Sequence, residues 1–155
     1  MIAYSKLLLP DTVLADVAVT SKKALLNQLA GTAAQAHGLD VKLIASALAD
    51  RERIGSTGFG GGIAIPHAKP AGLTHVVGVF ARLASPIDFQ AIDELPVDLV
   101  FMMLSPPDAG ADHLKALAAV SRRLRELGFV AKLRGAGSPD ALYALWTSDE
   151  ARDAA

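Results

Sequence analysis

Apolar residues recur at helical spacing in the first quarter of the chain, from residue 21 to residue 36. Their positions are Leu25, Leu26, Leu29, Ala33 and Ala36. Thr20 or Ser21 is a possible N-cap for this segment, and Gly38 is a typical helix stop. The pattern therefore predicts a first amphipathic helix.

A second stretch with the same spacing begins after Asp40 and ends near Arg53. Its apolar stripe comprises Val41, Ile44 and Leu48. Arg51 continues this stripe, so we expect it to lie at the end of a second helix, just before a cluster of glycines.

Two later segments are almost continuously apolar and lack helical spacing. Val76–Leu83 and Val97–Leu104 are rich in β-branched, Leu, Phe and Met residues, as is typical of strands covered on both faces. A shorter run, Ile63–Ile65, follows the glycines, and Pro66 ends it because proline has no N–H to donate. These segments predict a sheet with helices over it.

The last third of the chain returns to helical spacing. One helix is predicted over Asp112–Leu127, and Ser138 and Pro139 begin another that continues through Trp146. The apolar positions of the first of these are Leu114, Leu117, Val120, Leu124 and Leu127. The order of elements predicts a single-domain α/β sandwich, with a small mixed β-sheet flanked by helices. We expect residues 1–148 to form this domain and residues 149–155 to be a frayed tail.

Composition narrows the class of protein. The 155 residues are 52% hydrophobic, but no window of 18 or more apolar residues exists, which excludes a transmembrane helix. Fifteen Lys and Arg against sixteen Asp and Glu leave a net charge of −1, so we expect no general attraction to nucleic acid or anionic lipid. The sequence has no cysteine and no recognisable leader, which predicts a cytoplasmic protein without disulfides.

Glycine is concentrated between Gly55 and Gly62, where five of the eight residues are glycine. Such a loop lets backbone N–H groups approach an anion closely, so the loop amides, that of Gly62 among them, are candidate ligands for a phosphoryl group. Two nucleotide-binding patterns fail: Ile63 takes the third glycine position of G-x-G-x-x-G, and Gly61 takes the lysine position of G-x-x-x-x-G-K. Nucleotide binding by those mechanisms is therefore disfavoured.

His67 lies directly after Pro66, on a rigid exit from the short strand. A neutral imidazole is a competent nucleophile toward phosphorus, and a histidine with an ordinary pKa of about 6.5 is mostly neutral at pH 7. The alternative is that His67 only hydrogen-bonds a carbonyl group. Its position after a glycine-rich loop favours the nucleophile.

Three further side chains are candidates to assist such a reaction: Arg51, Ser56 and Thr57. An arginine beside this loop can offer a two-pronged contact to phosphoryl oxygens. Spacing alone does not separate that role from a surface ion pair with Asp50, Glu52 or Glu94. The two hydroxyls can donate to a phosphoryl group, or they can cap turns beside glycine.

His113 lies in the first turn of its predicted helix, on the core-facing side. A helix N-terminus keeps a nearby histidine neutral, so His113 can donate one N–H to a neighbouring ring or a phosphoryl oxygen. The alternative is a structural core histidine. No role is predicted for His37 or His75, and the spacing of histidines and carboxylates predicts no metal site.

Four motifs occur together along the chain. They are Arg51-Glu52, Gly55-Ser56-Thr57-Gly58, Gly62-Ile63-Ala64-Ile65-Pro66-His67 and His113-Leu114. With them the sequence resembles enzyme IIA of the phosphoenolpyruvate-dependent phosphotransferase system, mannitol/fructose type, and in particular its nitrogen-regulatory branch. The resemblance covers nearly the whole chain.

This resemblance implies that His67 accepts a phosphoryl group from the phosphohistidine of HPr or an HPr-like carrier. It implies that Arg51 and His113 stabilise the transferring group and the phosphorylated product. The expected partners are that carrier and regulatory target proteins, with no cofactor, no nucleic acid and no insertion into a membrane. Sugar-transport relatives often carry an acidic residue where Gly61 stands here, which favours regulation.

Two alternative functions remain open. A sugar-specific IIA component would use the same acceptor chemistry and pass the phosphoryl group to a IIB component for carbohydrate uptake. A non-catalytic interaction module would keep the fold without phosphorylation of His67, although the presence of His67, Arg51 and His113 together argues against it.

Overall fold

The computed structural model describes the backbone of residues 2–154 and the side chains of residues 2–148. The helices are α1 (Tyr4–Leu7), α2 (Lys22–His37), α3 (Val41–Ile54), α4 (Ala111–Arg123), α5 (Leu127–Gly135) and α6 (Pro139–Ala154). The strands are β1 (Val13–Val17), β2 (Gly58–Gly60), β3 (Ile63–Ala64), β4 (His67–Ala68), β5 (Val77–Ile87) and β6 (Val97–Leu104). Within this described part, no helix has both the length and the apolar character needed to cross a membrane.

The six strands form one mixed sheet in the order β1-β5-β6-β3-β2, and β4 also pairs with β6. The pairs β1–β5, β3–β6 and β4–β6 are parallel, whereas β5–β6 and β2–β3 are antiparallel. Short β3 and β4 therefore follow one another along the same side of β6. The predicted fold class, a small mixed sheet flanked by helices, is confirmed.

Helices cover both faces of the sheet, and β6 shows how its residues are divided between them. Val100, Met102 and Leu104 pack in a core with residues of α2 and α3. Leu99 and Phe101 pack in a second core with residues of α1, α4, α5 and α6. This alternation is what a strand buried on both faces requires, since successive side chains point to opposite sides.

The two predicted helices of the first third are confirmed together with their caps. The Ser21 side chain accepts a hydrogen bond from the Ala24 N–H, and Gly38 ends α2 with a φ of 66°. Asp40 caps α3 by accepting from the backbone of its first turn. Each cap satisfies N–H groups that have no partner within the helix.

The helix predicted over Asp112–Leu127 is present as α4, but its predicted end is wrong, because α4 stops at Arg123 and Leu127 begins α5. Turn-type backbone hydrogen bonds, Arg125 N to Arg122 O and Glu126 N to Arg123 O, separate the two helices. Leu114 and Leu127 are 65% and 85% exposed, so they are not core positions. The helical spacing of leucines continues by chance across the break, and periodicity alone cannot detect such a turn.

Four short elements, α1, β1, β2 and β4, are not predicted by the sequence pattern. The first strand is only five residues long and includes Asp16, whose φ is +53°, so it lacks a clear period-two pattern. At the other end, Trp146 is buried as expected. The backbone of α6 extends to Ala154, while the side chains of 149–155 lie outside the described residues, so fraying of this tail stays a prediction.

Candidate functional site

The site lies where β4 and β6 end side by side. His67 is in register with Met103, and the two strands are parallel. Hydrogen bonds from Met103 N to Pro66 O (2.9 Å) and from Ser105 N to Ala68 O (3.1 Å) hold the segment on either side of His67. The histidine is thus fixed at the carboxyl end of parallel strands, the end at which open α/β sheets bind ligands.

The backbone next to His67 determines which of its ring nitrogens carries the proton. Nδ1 lies 2.8 Å from the carbonyl oxygen of Ile65. A carbonyl can only accept, so Nδ1 donates its hydrogen and Nε2 keeps its lone pair. The proline between these two residues has no N–H and a fixed φ, which keeps this short loop rigid.

Arg51 lies in the last turn of α3, and its side chain extends toward Nε2 of His67. Its Nε lies 3.4 Å from His67 Nε2, a long contact, and its NH1 donates to Gly55 O at 2.8 Å. The acidic neighbours of Arg51 have other partners. Asp50 pairs with Arg53, and Glu52 pairs with Lys22, each at 2.8 Å.

His113 approaches His67 from α4, in the first turn of that helix as predicted. The two ring centroids are 5.6 Å apart and the planes are inclined by 52°. His113 is only 6% exposed, and its Nδ1 lies 2.6 Å from Ser105 Oγ. The two imidazoles and the Arg51 guanidinium therefore form one cluster assembled from both faces of the sheet.

Burial keeps both imidazoles neutral near pH 7. Desolvation is the main cause that lowers the pKa of His67, and the Arg51 charge adds to it against opposing effects of the Ile65 carbonyl and Glu52. Desolvation also lowers the pKa of His113, followed by the effects of His67 and Lys69. A neutral His67 has a free lone pair on Nε2, which is the form that can act as a nucleophile.

Ser56 and Thr57 follow Gly55, whose carbonyl oxygen Arg51 contacts, and their hydroxyl hydrogens have protein acceptors. Ser56 Oγ donates to Phe89 O at 2.9 Å, and Thr57 Oγ1 donates to Glu52 Oε2 at 2.5 Å. Ser56 also accepts from the Gly58 N–H, which is the turn-capping role considered as its alternative. In this conformation neither hydroxyl has a hydrogen available for an anion.

Gly62 lies at the opposite end of β3 from the site, so its predicted contact with a phosphoryl group gains no support from this conformation. Ile63 is in register with Leu99, four residues before the partner of His67 on β6, a separation of about 13 Å at about 3.3 Å per residue. The three positive φ angles of Gly60, Gly61 and Gly62 form the tight turn between β2 and β3.

The contacts of this glycine turn are also unsuited to an anion. Gly61 N donates to the Asp93 carboxylate at 3.0 Å, and Gly61 O accepts from Arg134, which is itself paired with Asp98. Asp93 therefore occupies the Gly61 N–H that an anion would need, and Asp98 neutralises the neighbouring cation, Arg134. The glycine-rich sequence encodes a hairpin here, not an anion cradle.

Sequence reasoning missed two polar residues that hold the cluster in place. The Glu52 carboxylate is buried, and it accepts from both the backbone and the hydroxyl of Thr57. Ser105 is fully buried beneath His113. The adjacency of Glu52 to Arg51 was a usable signal, whereas nothing local in the sequence pairs Ser105 with a histidine eight residues later.

The other two histidines lie elsewhere, with ring centroids 6.4 Å apart. Burial lowers the pKa of His37, and the neighbouring His75 adds to this effect. Across the described residues, no group of three or more potential metal-ligating side chains occurs.

Comparison with known proteins identifies relatives that match nearly the whole chain. Residues 6–148 match the family model "Phosphoenolpyruvate-dependent sugar phosphotransferase system, EIIA 2". The chain is 45% identical over 139 residues to a nitrogen regulatory protein of Bradyrhizobium diazoefficiens, covering 90% of this chain and 91% of the relative.

Two solved structures share the fold. The crystal structure of nitrogen regulatory protein IIA-Ntr from Neisseria meningitidis superposes with a TM-score of 0.88 at 30% identity, over 93% of this chain and 99% of that one. The Escherichia coli mannitol enzyme IIA, solved in complex with phosphorylated mannitol enzyme IIB, gives 0.73 at 15% identity, over 92% and 99%.

The nitrogen-regulatory relatives match nearly the full chain at substantial identity, whereas the likeness to the mannitol protein is one of fold alone. The nitrogen-regulatory interpretation is therefore favoured over the sugar-specific one. This chain belongs to the EIIA 2 family of the phosphoenolpyruvate-dependent phosphotransferase system, as a phosphotransferase component of its nitrogen-regulatory branch.

Proposed function

We propose that this chain is a phosphohistidine carrier in which Nε2 of His67 accepts a phosphoryl group from an HPr-like protein. The observation that carries the proposal is the hydrogen bond from His67 Nδ1 to Ile65 O, which leaves Nε2 unprotonated beside Arg51. The acceptor nitrogen thus needs no general base, because it is already unprotonated, and its lone pair has only the long contact with Arg51 Nε–H to give up when the donor arrives.

The transfer is balanced without loss of a proton. The Nε2 lone pair forms the new N–P bond while the N–P bond of the donor phosphohistidine breaks, and its electron pair returns to the donor imidazole. The proton on His67 Nδ1 stays in place, and the Ile65 carbonyl stabilises the positive charge that the phosphorylated ring gains. The protein supplies chiefly position and charge, which is what a loose phosphoryl-transfer transition state requires.

Arg51 and His113 are proposed to surround the transferred group. The guanidinium is close to Nε2, so a small rotation brings its N–H groups to the phosphoryl oxygens on which negative charge accumulates. His113 flanks the ring on the α4 side, where a neutral imidazole can donate one hydrogen bond. Roles for Ser56 and Thr57 would require their hydroxyls to leave their present acceptors, so we assign them to loop positioning.

The phosphoryl group carries about two negative charges, and the ring that keeps its Nδ1 proton gains one positive charge, so phosphorylation makes the site more negative by about one unit. This change alters which protein surface the site fits. We propose that target proteins read this difference, as the nitrogen-regulatory relatives suggest. The mannitol relative was solved in complex with a phosphorylated enzyme IIB, which supports a role in binding protein partners of the relay. A relay fed by phosphoenolpyruvate operates among cytoplasmic proteins, so we place this chain there.

The acceptor assignment predicts one acid-labile phosphoryl group per chain after incubation with phosphoenolpyruvate and the general phosphotransfer proteins. His67→Ala should abolish it, since no other ring in the described part of the chain combines an unprotonated Nε2 with a neighbouring guanidinium. Intact-mass measurement checks this, with His75→Ala as a matched control that should label normally. Label retained in His67→Ala, or mapped to His113, would show that the assignment is wrong.

Arg51→Lys should slow phosphoryl acceptance by about 10- to 100-fold, although the charge is retained. A point ammonium cannot reproduce a two-pronged contact, and a charge-assisted hydrogen bond contributes about 1.5–3 kcal/mol. Rapid-quench kinetics from a defined phosphorylated donor measure the rate. Arg53→Lys is the matched control, because Arg53 lies on the same helix but pairs with Asp50 at the surface; equal rates for both variants would remove Arg51 from the mechanism.

The pH dependence follows from the lowered pKa of His67, which has burial as its main cause. Protonation of Nε2 removes the nucleophile, so the reactive form should persist below the pH of about 6.5 at which an ordinary histidine is half protonated. The unfolded chain then takes up protons first as pH falls, so this residue makes the fold less stable in acid. NMR titration of the His67 ring should give a midpoint below 6.5, and a midpoint above it would contradict the neutral-nucleophile mechanism.

A further inference from the structure

Ser105 lies directly after the last residue of β6, at the floor of the site. Its backbone N–H continues the pairing with β4 by donating to Ala68 O. It shares the face of the sheet with Met103, the register partner of His67, because alternate residues of a strand point to the same side. Its side chain is fully buried, and its hydroxyl lies 2.6 Å from His113 Nδ1.

The direction of the hydrogen bond between Ser105 Oγ and His113 Nδ1 depends on which acceptor is available to the buried serine hydroxyl. In the part of the chain that the structure describes, His113 Nδ1 is the only partner of Ser105 Oγ. If Nδ1 donated, the serine hydrogen would be left buried without an acceptor, which is unfavourable. If the serine donates, both groups are satisfied, and the single proton of a neutral His113 is on Nε2.

Burial lowers the pKa of His113, so its imidazole is neutral near pH 7. A neutral imidazole has one N–H only, so its tautomer decides whether its second nitrogen donates or accepts. An Nε2 lone pair on His113 would repel a phosphoryl oxygen, whereas an Nε2–H would hold it. The two adjacent rings therefore need opposite tautomers: Nδ1–H on His67 and Nε2–H on His113.

We propose that Ser105 is a positioning residue for phosphoryl transfer, because its hydroxyl fixes His113 in the Nε2–H tautomer and so aims a hydrogen-bond donor at the phosphoryl group on His67. This inference rests on the proposed function for its kinetic consequence. The tautomer itself is a property of the unphosphorylated protein. Ser105 acts through His113 and does not contact the reacting atoms.

The tautomer is tested first, by nitrogen-15 NMR of the imidazole rings at a pH where His113 is neutral. In the unaltered protein, His113 Nδ1 should give the signal of an unprotonated nitrogen and Nε2 that of a protonated one. Ser105→Ala should shift both signals toward the averages of a mixed tautomer. A protonated Nδ1 in the unaltered protein, or no shift in Ser105→Ala, would overturn the proposal even if His67 is phosphorylated normally.

The kinetic consequence is tested next with a double-mutant cycle. Ser105→Ala should slow phosphoryl acceptance by about two- to tenfold, since the loss of one neutral hydrogen bond leaves both the donor tautomer and the orientation of the His113 ring unfixed. In a His113→Ala background the same change should have little further effect, because its only route to the reaction is gone. An equal slowing in both backgrounds would mean that Ser105 acts by general packing, which contradicts the proposal.

A matched control separates the loss of a buried hydroxyl from this specific role. Thr12 is also fully buried and hydrogen-bonded, but it precedes β1 at the opposite edge of the sheet. Thr12→Val should lower the melting temperature without slowing acceptance by the folded protein. Failure of His67 to accept any phosphoryl group would overturn the proposed function, while the nitrogen-15 signals of His113 would still decide the tautomer.

Discussion

The hydrogen bond between His67 Nδ1 and the carbonyl oxygen of Ile65 is the constraint on which the chemistry of this protein depends. It assigns the proton to one nitrogen and directs the lone pair of the other toward Arg51. The geometry is local, because donor and acceptor are two residues apart with Pro66 between them. It is also supported from a distance, since β6 holds the carbonyl of Pro66 and the backbone of Ala68.

The fold places its two helical layers so that both contribute to the site. Arg51 comes from α3 on one face of the sheet, and His113 comes from α4 on the other. Their side chains meet at the edge where the short strand β4 ends. A cationic group and a neutral donor on opposite sides of one imidazole form a site suited to a trigonal, negatively charged group in transfer.

Much of this arrangement could be predicted from sequence, for identifiable reasons. Ser21 and Asp40 are residue types typical of helix N-caps. The proline before His67 indicates a rigid end to the short strand. The glycine-rich segment is ambiguous in the sequence, because glycine serves equally in an anion-binding loop and in a hairpin turn. Only the partners Asp93 and Arg134, 32 and 73 residues beyond Gly61, decide between these.

The pairing of Ser105 with His113 could not be predicted from the sequence for a different reason. Ser105 and His113 are neighbours because β6 ends just where α4 begins its first turn, and that proximity depends on the loop geometry between them. The break between α4 and α5 was likewise hidden by leucines that keep helical spacing across it. In both cases tertiary contacts decide what local patterns leave open.

The identity of the phosphorylated nitrogen is the most direct test of the mechanism. Phosphorus-31 and nitrogen-15 NMR of the phosphorylated, isotopically labelled protein would give the coupling between phosphorus and the ring nitrogen that carries it. Phosphorus should be coupled directly to Nε2 of His67, with Nδ1 still protonated. Direct coupling to Nδ1, or to a nitrogen of His113, would contradict this mechanism.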